Sequence, residues 1–173
     1  MVIIVTGAVG IGKSTVCRRL IGIVQGRGYS CGGVLTDKAH DESIIIEDIQ
    51  TGERETLATT SDIYHGPCTP KYFFNPEGID FGLRAIAKGL SSSMLLVDEL
   101  GHLELRGEGF APVLGQLKAG RVETCVLVIR SALLPAFLAQ MNVVPVVFKT
   151  TAGNRNQLAQ EIGSVLLDKL REG

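Results

Sequence analysis

Gly7-Ala8-Val9-Gly10-Ile11-Gly12-Lys13-Ser14 is the stretch that decides the fold. It satisfies G-x-x-x-x-G-K-[ST], the Walker A or P-loop pattern, and each fixed position has a physical reason. The glycines let the backbone curl until successive N–H groups point inward around phosphate oxygens. A helix beginning at the end of the loop presents its positive N-terminal end to the same anion. Both flanks agree. Val2 to Val5 is a continuous apolar run, as expected of a strand covered on two faces. Lys13 to Gln25 reads as a helix, with Val16, Leu20 and Val24 four apart and Cys17 and Ile21 beside them. Lys13 is then placed to bridge the β- and γ-phosphates of a nucleoside triphosphate, Ser14 to put its hydroxyl on Mg²⁺, and Thr15 to reach the α-phosphate. The nucleotide-binding set read here is Gly7, Ala8, Val9, Gly10, Ile11, Gly12, Lys13, Ser14 and Thr15.

Beyond the first helix, Cys31 to Thr36 is a second apolar strand. Ser43 to Gln50 and Glu53 to Thr60 alternate about Thr51-Gly52, the signature of an antiparallel hairpin. Asp62 to Pro76 lacks periodicity and reads as a long loop, a length more often functional than idle. Glu77 to Leu90 follows as a helix and Met94 to Val97 as a buried strand. A helix from about Gly109 to Ala119, a strand from Thr124 to Ile129, a short helix capped by Ser131 and running to Met141, a strand from Val143 to Phe148 and an amphipathic helix from Asn154 to Arg171 complete the chain. Strands alternating with helices predict an α/β fold with a mainly parallel sheet. At 173 residues the length prior gives one domain spanning 1–173.

A triphosphate site needs a second acidic element for the metal. Leu95-Leu96-Val97-Asp98-Glu99 is a hydrophobic strand ending in two carboxylates, the Walker B arrangement. Asp98 is the candidate Mg²⁺ ligand. Glu99 is the candidate general base, pointing toward the γ-phosphate and polarising the attacking water, with Lys13 as the catalytic cation. Asp98-Glu99-Leu100-Gly101 also fits the D-x-x-G of GTPase switches, but the chain carries no Asn-Lys-x-Asp guanine motif.

Three segments together resemble the small nucleoside-triphosphatase family first known from thermophiles and also called cancer-related nucleoside-triphosphatases. They are the Walker A stretch; Leu96-Val97-Asp98-Glu99-Leu100-Gly101-His102-Leu103-Glu104-Leu105, similar to that family's V-D-E-I-G-K-M-E-L run; and Asn154-Arg155 with Leu158 three residues on, like its E-N-R-x-x-L. Gly33-Val34-Leu35-Thr36 is loosely similar to its G-F-Y-T stretch. The resemblance implies a RecA-like sheet with a β-hairpin insertion and slow Mg²⁺-dependent hydrolysis of several nucleoside triphosphates, ATP and GTP among them. It also implies that Asn154 and Arg155 lie near the base or phosphates; read from the residues alone, they are equally a helix N-cap and a surface charge. His102 stands where that family usually has Lys.

Composition narrows the partners. Lys and Arg total 17 against 18 Asp and Glu, a formal net charge of −1, so the basic excess of a general nucleic-acid binder is missing. Cys17, Cys31, Cys68 and Cys125 form no CxxC pair and read as reduced, mostly buried residues. The first residues carry no basic leader or cleavage site and no run approaches about 20 apolar residues, so the expected location is the cytoplasm, off the membrane. The oligomeric state stays open, with a monomer compatible.

Arg130 and Lys149 follow strands and so belong to the sheet edge where ligands of open α/β sheets bind; each reads either as a phosphate partner or as a solvated charge. Asp37 ends the second strand and is a rim candidate. Tyr72, Phe73 and Phe74 read as an anchor for the long loop. Two rival functions remain: a small-molecule or nucleoside kinase, weakened because residues 62–78 contain no Arg for a lid, and a non-enzymatic nucleotide-gated binding module.

Overall fold

Alternate residues of the first apolar run face opposite ways, which is why the run contains no polar member. In the computed structural model, which describes residues 1–172, β1 (Val2–Gly7) sends Ile3 and Val5 into one core and Ile4 into another. The first core packs against α1 (Lys13–Gln25) and α6 (Leu158–Glu172), through Val16, Leu20 and Val24 of the former and Ile162 and Leu166 of the latter. The second packs against α2 (Pro76–Gly89), α4 (Pro112–Lys118) and Phe137 of α5 (Leu134–Gln140). Helices thus cover both faces of one sheet, the arrangement a continuous apolar strand demands.

The remaining strands are β2 (Cys31–Lys38), β3 (Ile44–Asp48), β4 (Arg54–Thr59), β5 (Phe73–Phe74), β6 (Met94–Leu100), β7 (Cys125–Arg130) and β8 (Val146–Lys149). The order across the eight-stranded sheet is β5-β4-β3-β2-β6-β7-β1-β8. Pairings β2–β6, β6–β7, β7–β1 and β1–β8 are parallel, whereas β3, β4 and β5 extend the sheet antiparallel. The expected parallel sheet and hairpin insertion are both present. β7 lies between the phosphate-loop strand and β6, so the residue ending β7 stands between the loop and the carboxylate pair.

Gly33 lets β2 approach β6. Its φ is 101°, and a Cβ there would stand 2.1 Å from the Leu96 carbonyl oxygen, so no other residue fits without moving a strand.

Several element boundaries differ from the sequence expectation, each for a local reason. β6 runs on through Asp98 and Glu99 to Leu100, with an irregular register: Val97 faces Leu127 and Leu100 faces Ile129, leaving an extra residue on β6. A short helix, α3 (His102–Leu105), follows; Glu104 accepts hydrogen bonds from the Gly101 amide at 2.7 Å and the Phe110 amide at 2.9 Å. α4 starts at Pro112 rather than Gly109, proline being suited to a first turn. Ser131 is not a helix cap: α5 begins at Leu134, and the Ser131 amide donates to the Gly7 carbonyl instead. β8 starts at Val146, after Pro145, which has no N–H for a ladder. α6 starts at Leu158, because Asn154 is used to close the turn before it: its side chain accepts from the Thr151 amide and donates to the Lys149 carbonyl. Within the expected loop 62–76, Phe73 and Phe74 pair with β4 as β5, anchoring the segment.

Candidate nucleotide site

Three parallel strands deliver the site. Gly7, ending β1, is register partner to Arg130, ending β7, and β7 in turn flanks the carboxylate segment of β6. From Gly7 the chain loops into α1, whose N-cap is Gly12 at φ 106°, a left-handed conformation that a side chain would strain. Lys13 is only 7% exposed, and its Nζ donates to the Gly7 carbonyl at 3.2 Å and the Ala8 carbonyl at 2.7 Å. The ammonium is thereby folded over the loop. Burial lowers its pKa, opposed by the negative charges of Glu99 and Asp98.

Asp98 is 1% exposed. Its Oδ2 accepts from both the amide and the hydroxyl of Thr36, each at 3.3 Å. Burial pushes its carboxyl up to about 6; hydrogen bonds from Ser14 and Thr36 pull the other way, while Glu99 adds to the rise. Glu99 keeps about a quarter of its side chain in solvent and accepts from Arg130 Nε at 2.5 Å.

A cavity of about 480 Å³ gathers these groups, with Gly12, Lys13, Ser14, Asp98, Glu99 and Arg130 in its wall. The loop and the two carboxylates, 84 residues apart in sequence between Ser14 and Asp98, therefore face one space. Val9, Gly10 and Thr15 line it too, whereas Asn154 and Arg155 do not. Arg155 lies on the other flank of the loop, where a Cβ on Gly12 would sit 3.6 Å from its Cδ. Lys149 is exposed at the end of β8 and away from this cavity, its carbonyl occupied by Asn154. Asp37 is on the rim, bound by Arg18 at 2.8 Å and Arg54 at 2.6 Å. His102, exposed at the start of α3, lines a neighbouring cavity.

Sequence reasoning passed over Thr36 and Lys71. Thr36 carried a usable signal, as the first polar side chain after the apolar part of a strand whose Val34 pairs in parallel with Val97. Lys71 and Tyr72 reach the cavity only through the path of the long loop, and no local pattern encodes that.

The family profile described as NTPase matches residues 2–163. This chain belongs to the NTPase family. Among its relatives is the nucleoside-triphosphatase THEP1 of Methanosarcina acetivorans, 29% identical over 97% of this chain and 98% of that one. The THEP1 nucleoside-triphosphatase of Methanothermobacter thermautotrophicus is 30% identical over 77% of this chain and 79% of its own. Among solved structures, THEP1 from Aquifex aeolicus superposes with a TM-score of 0.74 at 20% identity, covering 96% of this chain and 99% of that chain. A human cancer-related nucleoside triphosphatase superposes with the same TM-score at 18% identity, over 96% and 97% of the two chains. These two structures and this chain thus share one fold, an α/β sheet flanked by helices.

Proposed function

We propose that this NTPase-family chain, working as one P-loop domain, hydrolyses nucleoside 5′-triphosphates to diphosphate and phosphate with the help of Mg²⁺. The observation that carries the reading is the convergence of Lys13, Ser14, Asp98 and Glu99 on one cavity at the carboxyl edge of the sheet.

The donor set suits the metal. Ser14 and Asp98 offer oxygen only, and both line the same cavity. Among the described residues no group of three or more His, Cys, Asp or Glu could cage a metal. Mg²⁺ asks for no such cage, since it is held by one or two carboxylates together with substrate phosphates and water. Ser14 and Asp98 would hold it, and bound there it neutralises phosphate charge.

The chain's own residues supply the rest. Loop amides from Gly7 to Ser14 and the α1 N-terminus hold the phosphates, and the Lys13 ammonium turns from the loop carbonyls to the β- and γ-phosphates. Glu99 takes a proton from the water whose oxygen attacks the γ-phosphorus. Arg130, beside it, stabilises charge on the transferred group. Asn154 and Arg155 serve the base or the inner phosphates from the opposite flank of the loop. Four free cysteines, three of them buried, agree with a cytoplasmic setting, and no helix is long and apolar enough to cross a membrane among the described residues.

The test is phosphate release from ATP, GTP, CTP and UTP, with and without Mg²⁺. Turnover that needs the metal supports the reading; no turnover of any of them sinks it.

A further inference from the structure

Hydrolysis needs room for one water beside Glu99, and about 10–15 Å³ suffices for that. Behind the Glu99–Arg130 pair lies a second cavity of about 260 Å³, with both residues in its wall as well as in that of the phosphate cavity. Its floor is Leu57, Leu103 and Phe110, each less than 5% exposed and fixed by the core, with Phe74 beside them. His102 and Lys71 stand at its rim, and Lys71 is tied to Glu42 at 3.3 Å.

Two carboxylates border this space, but they are not equivalent. Both oxygens of Glu104 are occupied by the amides of Gly101 and Phe110. Glu99 is held only by a side chain, Arg130, and reaches both cavities. A molecule lodged on the apolar floor would therefore meet one carboxylate not already bound by backbone amides, on the side shared with the nucleotide cavity. Aromatic and aliphatic walls favour a ring lying flat against them, and a polar end turned to Glu99 would be a hydroxyl.

We propose that this cavity is an acceptor site, and that the chain also transfers the γ-phosphoryl group to a small ring-bearing alcohol. This rests on the nucleotide site described above. The acceptor oxygen attacks the γ-phosphorus as the bond from that phosphorus to the β–γ bridging oxygen breaks. The hydroxyl proton passes to Glu99, the electron pair leaves with the nucleoside diphosphate, and a phosphate ester is formed with no change of oxidation state. Water competes for the same position, so hydrolysis is the reaction seen without an acceptor.

The experiment supplies ATP carrying a radiolabelled γ-phosphate, with Mg²⁺, to the full chain in the presence of adenosine, guanosine, cytidine, uridine or pyridoxine in turn. Diphosphate, free phosphate and labelled ester are separated and counted. The expected result is labelled ester with at least one probe and diphosphate in excess of free phosphate. Leu57→Phe, which enlarges a floor residue that does not line the nucleotide cavity, is expected to lower the ester-to-phosphate ratio about tenfold or more. That ratio does not depend on how much of the variant is folded. Diphosphate equal to phosphate with every probe overturns the acceptor site while leaving the nucleotide site standing, and an unchanged ratio in Leu57→Phe overturns it as well. No diphosphate at all removes the nucleotide site and this proposal with it.

Discussion

Arg130 donates from Nε to Glu99 Oε1 at 2.5 Å, and the pair forms a wall common to two cavities. A carboxylate held this way is oriented but partly neutralised. To accept a proton from an attacking hydroxyl it must be released, and a γ-phosphate entering beside Arg130 is a second anion competing for the guanidinium. On the proposed mechanism, Arg130 would link arrival of the triphosphate to freeing of the base. Arg130→Ala should lower kcat by about a hundredfold, the scale of losing one charge-stabilising donor. Steady-state kinetics check this, and wild-type kcat in the variant would remove Arg130 from the chemistry.

Lys13 tests the phosphate grip. Its ammonium is nearly buried and its hydrogen-bond partners among the described residues are two neutral loop carbonyls, which on the proposed reading an added anion would displace. Lys13→Ala should weaken triphosphate binding by about 1.5–3 kcal/mol, tenfold or more in Kd by titration calorimetry. The loss for a nucleoside monophosphate should be much smaller.

Asp98 links the site to stability. Burial holds its carboxyl at about 6, against an ordinary value of 3.8. The folded state therefore binds more protons than the unfolded state between those values, so stability falls as pH rises through that window and levels off above it. At neutral pH the buried charge costs on the order of 3 kcal/mol. Asp98→Asn should raise Tm in metal-free buffer near pH 7.5, at about 2–4 °C per kcal/mol, with the gain shrinking toward pH 4. The same variant should lose Mg²⁺-dependent turnover. Scanning calorimetry at the two pH values checks the first part; a gain independent of pH would contradict it.

Gly33 is a position where the parallel sheet tolerates no side chain. With φ at 101° and the Leu96 carbonyl 2.1 Å from an added Cβ, Gly33→Ala should cost about 2–4 kcal/mol. A fall in the urea midpoint at unchanged slope is the expected signature.

The sequence showed most clearly whatever local periodicity encodes. α1 was legible to the residue, because Gly12 and the Val16–Leu20–Val24 stripe mark its start and its face. The buried parallel strands were legible as apolar runs. What was missed depends on contacts between distant segments. α3 has only four residues, too few for a period, and its support comes from Glu104 and Phe110. The pairing of Arg130 with Glu99 follows from β7 lying between β1 and β6, an order that no stretch of sequence displays. Asn154 is a good helix cap by residue type, yet the Lys149 carbonyl claims its side chain and the helix begins later. Tyr72 and Lys71 line the site only because β5 pins the end of a long loop beside it.

On the proposed mechanism, turnover depends on Glu99 taking the proton from the nucleophile at a triphosphate held by the loop. The most direct test is Glu99→Gln, which keeps size and hydrogen-bonding capacity but removes the base, with ATP binding by calorimetry and turnover by phosphate release measured on one preparation. The expected result is ATP affinity close to wild type and turnover lowered at least about tenfold. Wild-type turnover in that variant would contradict the claim.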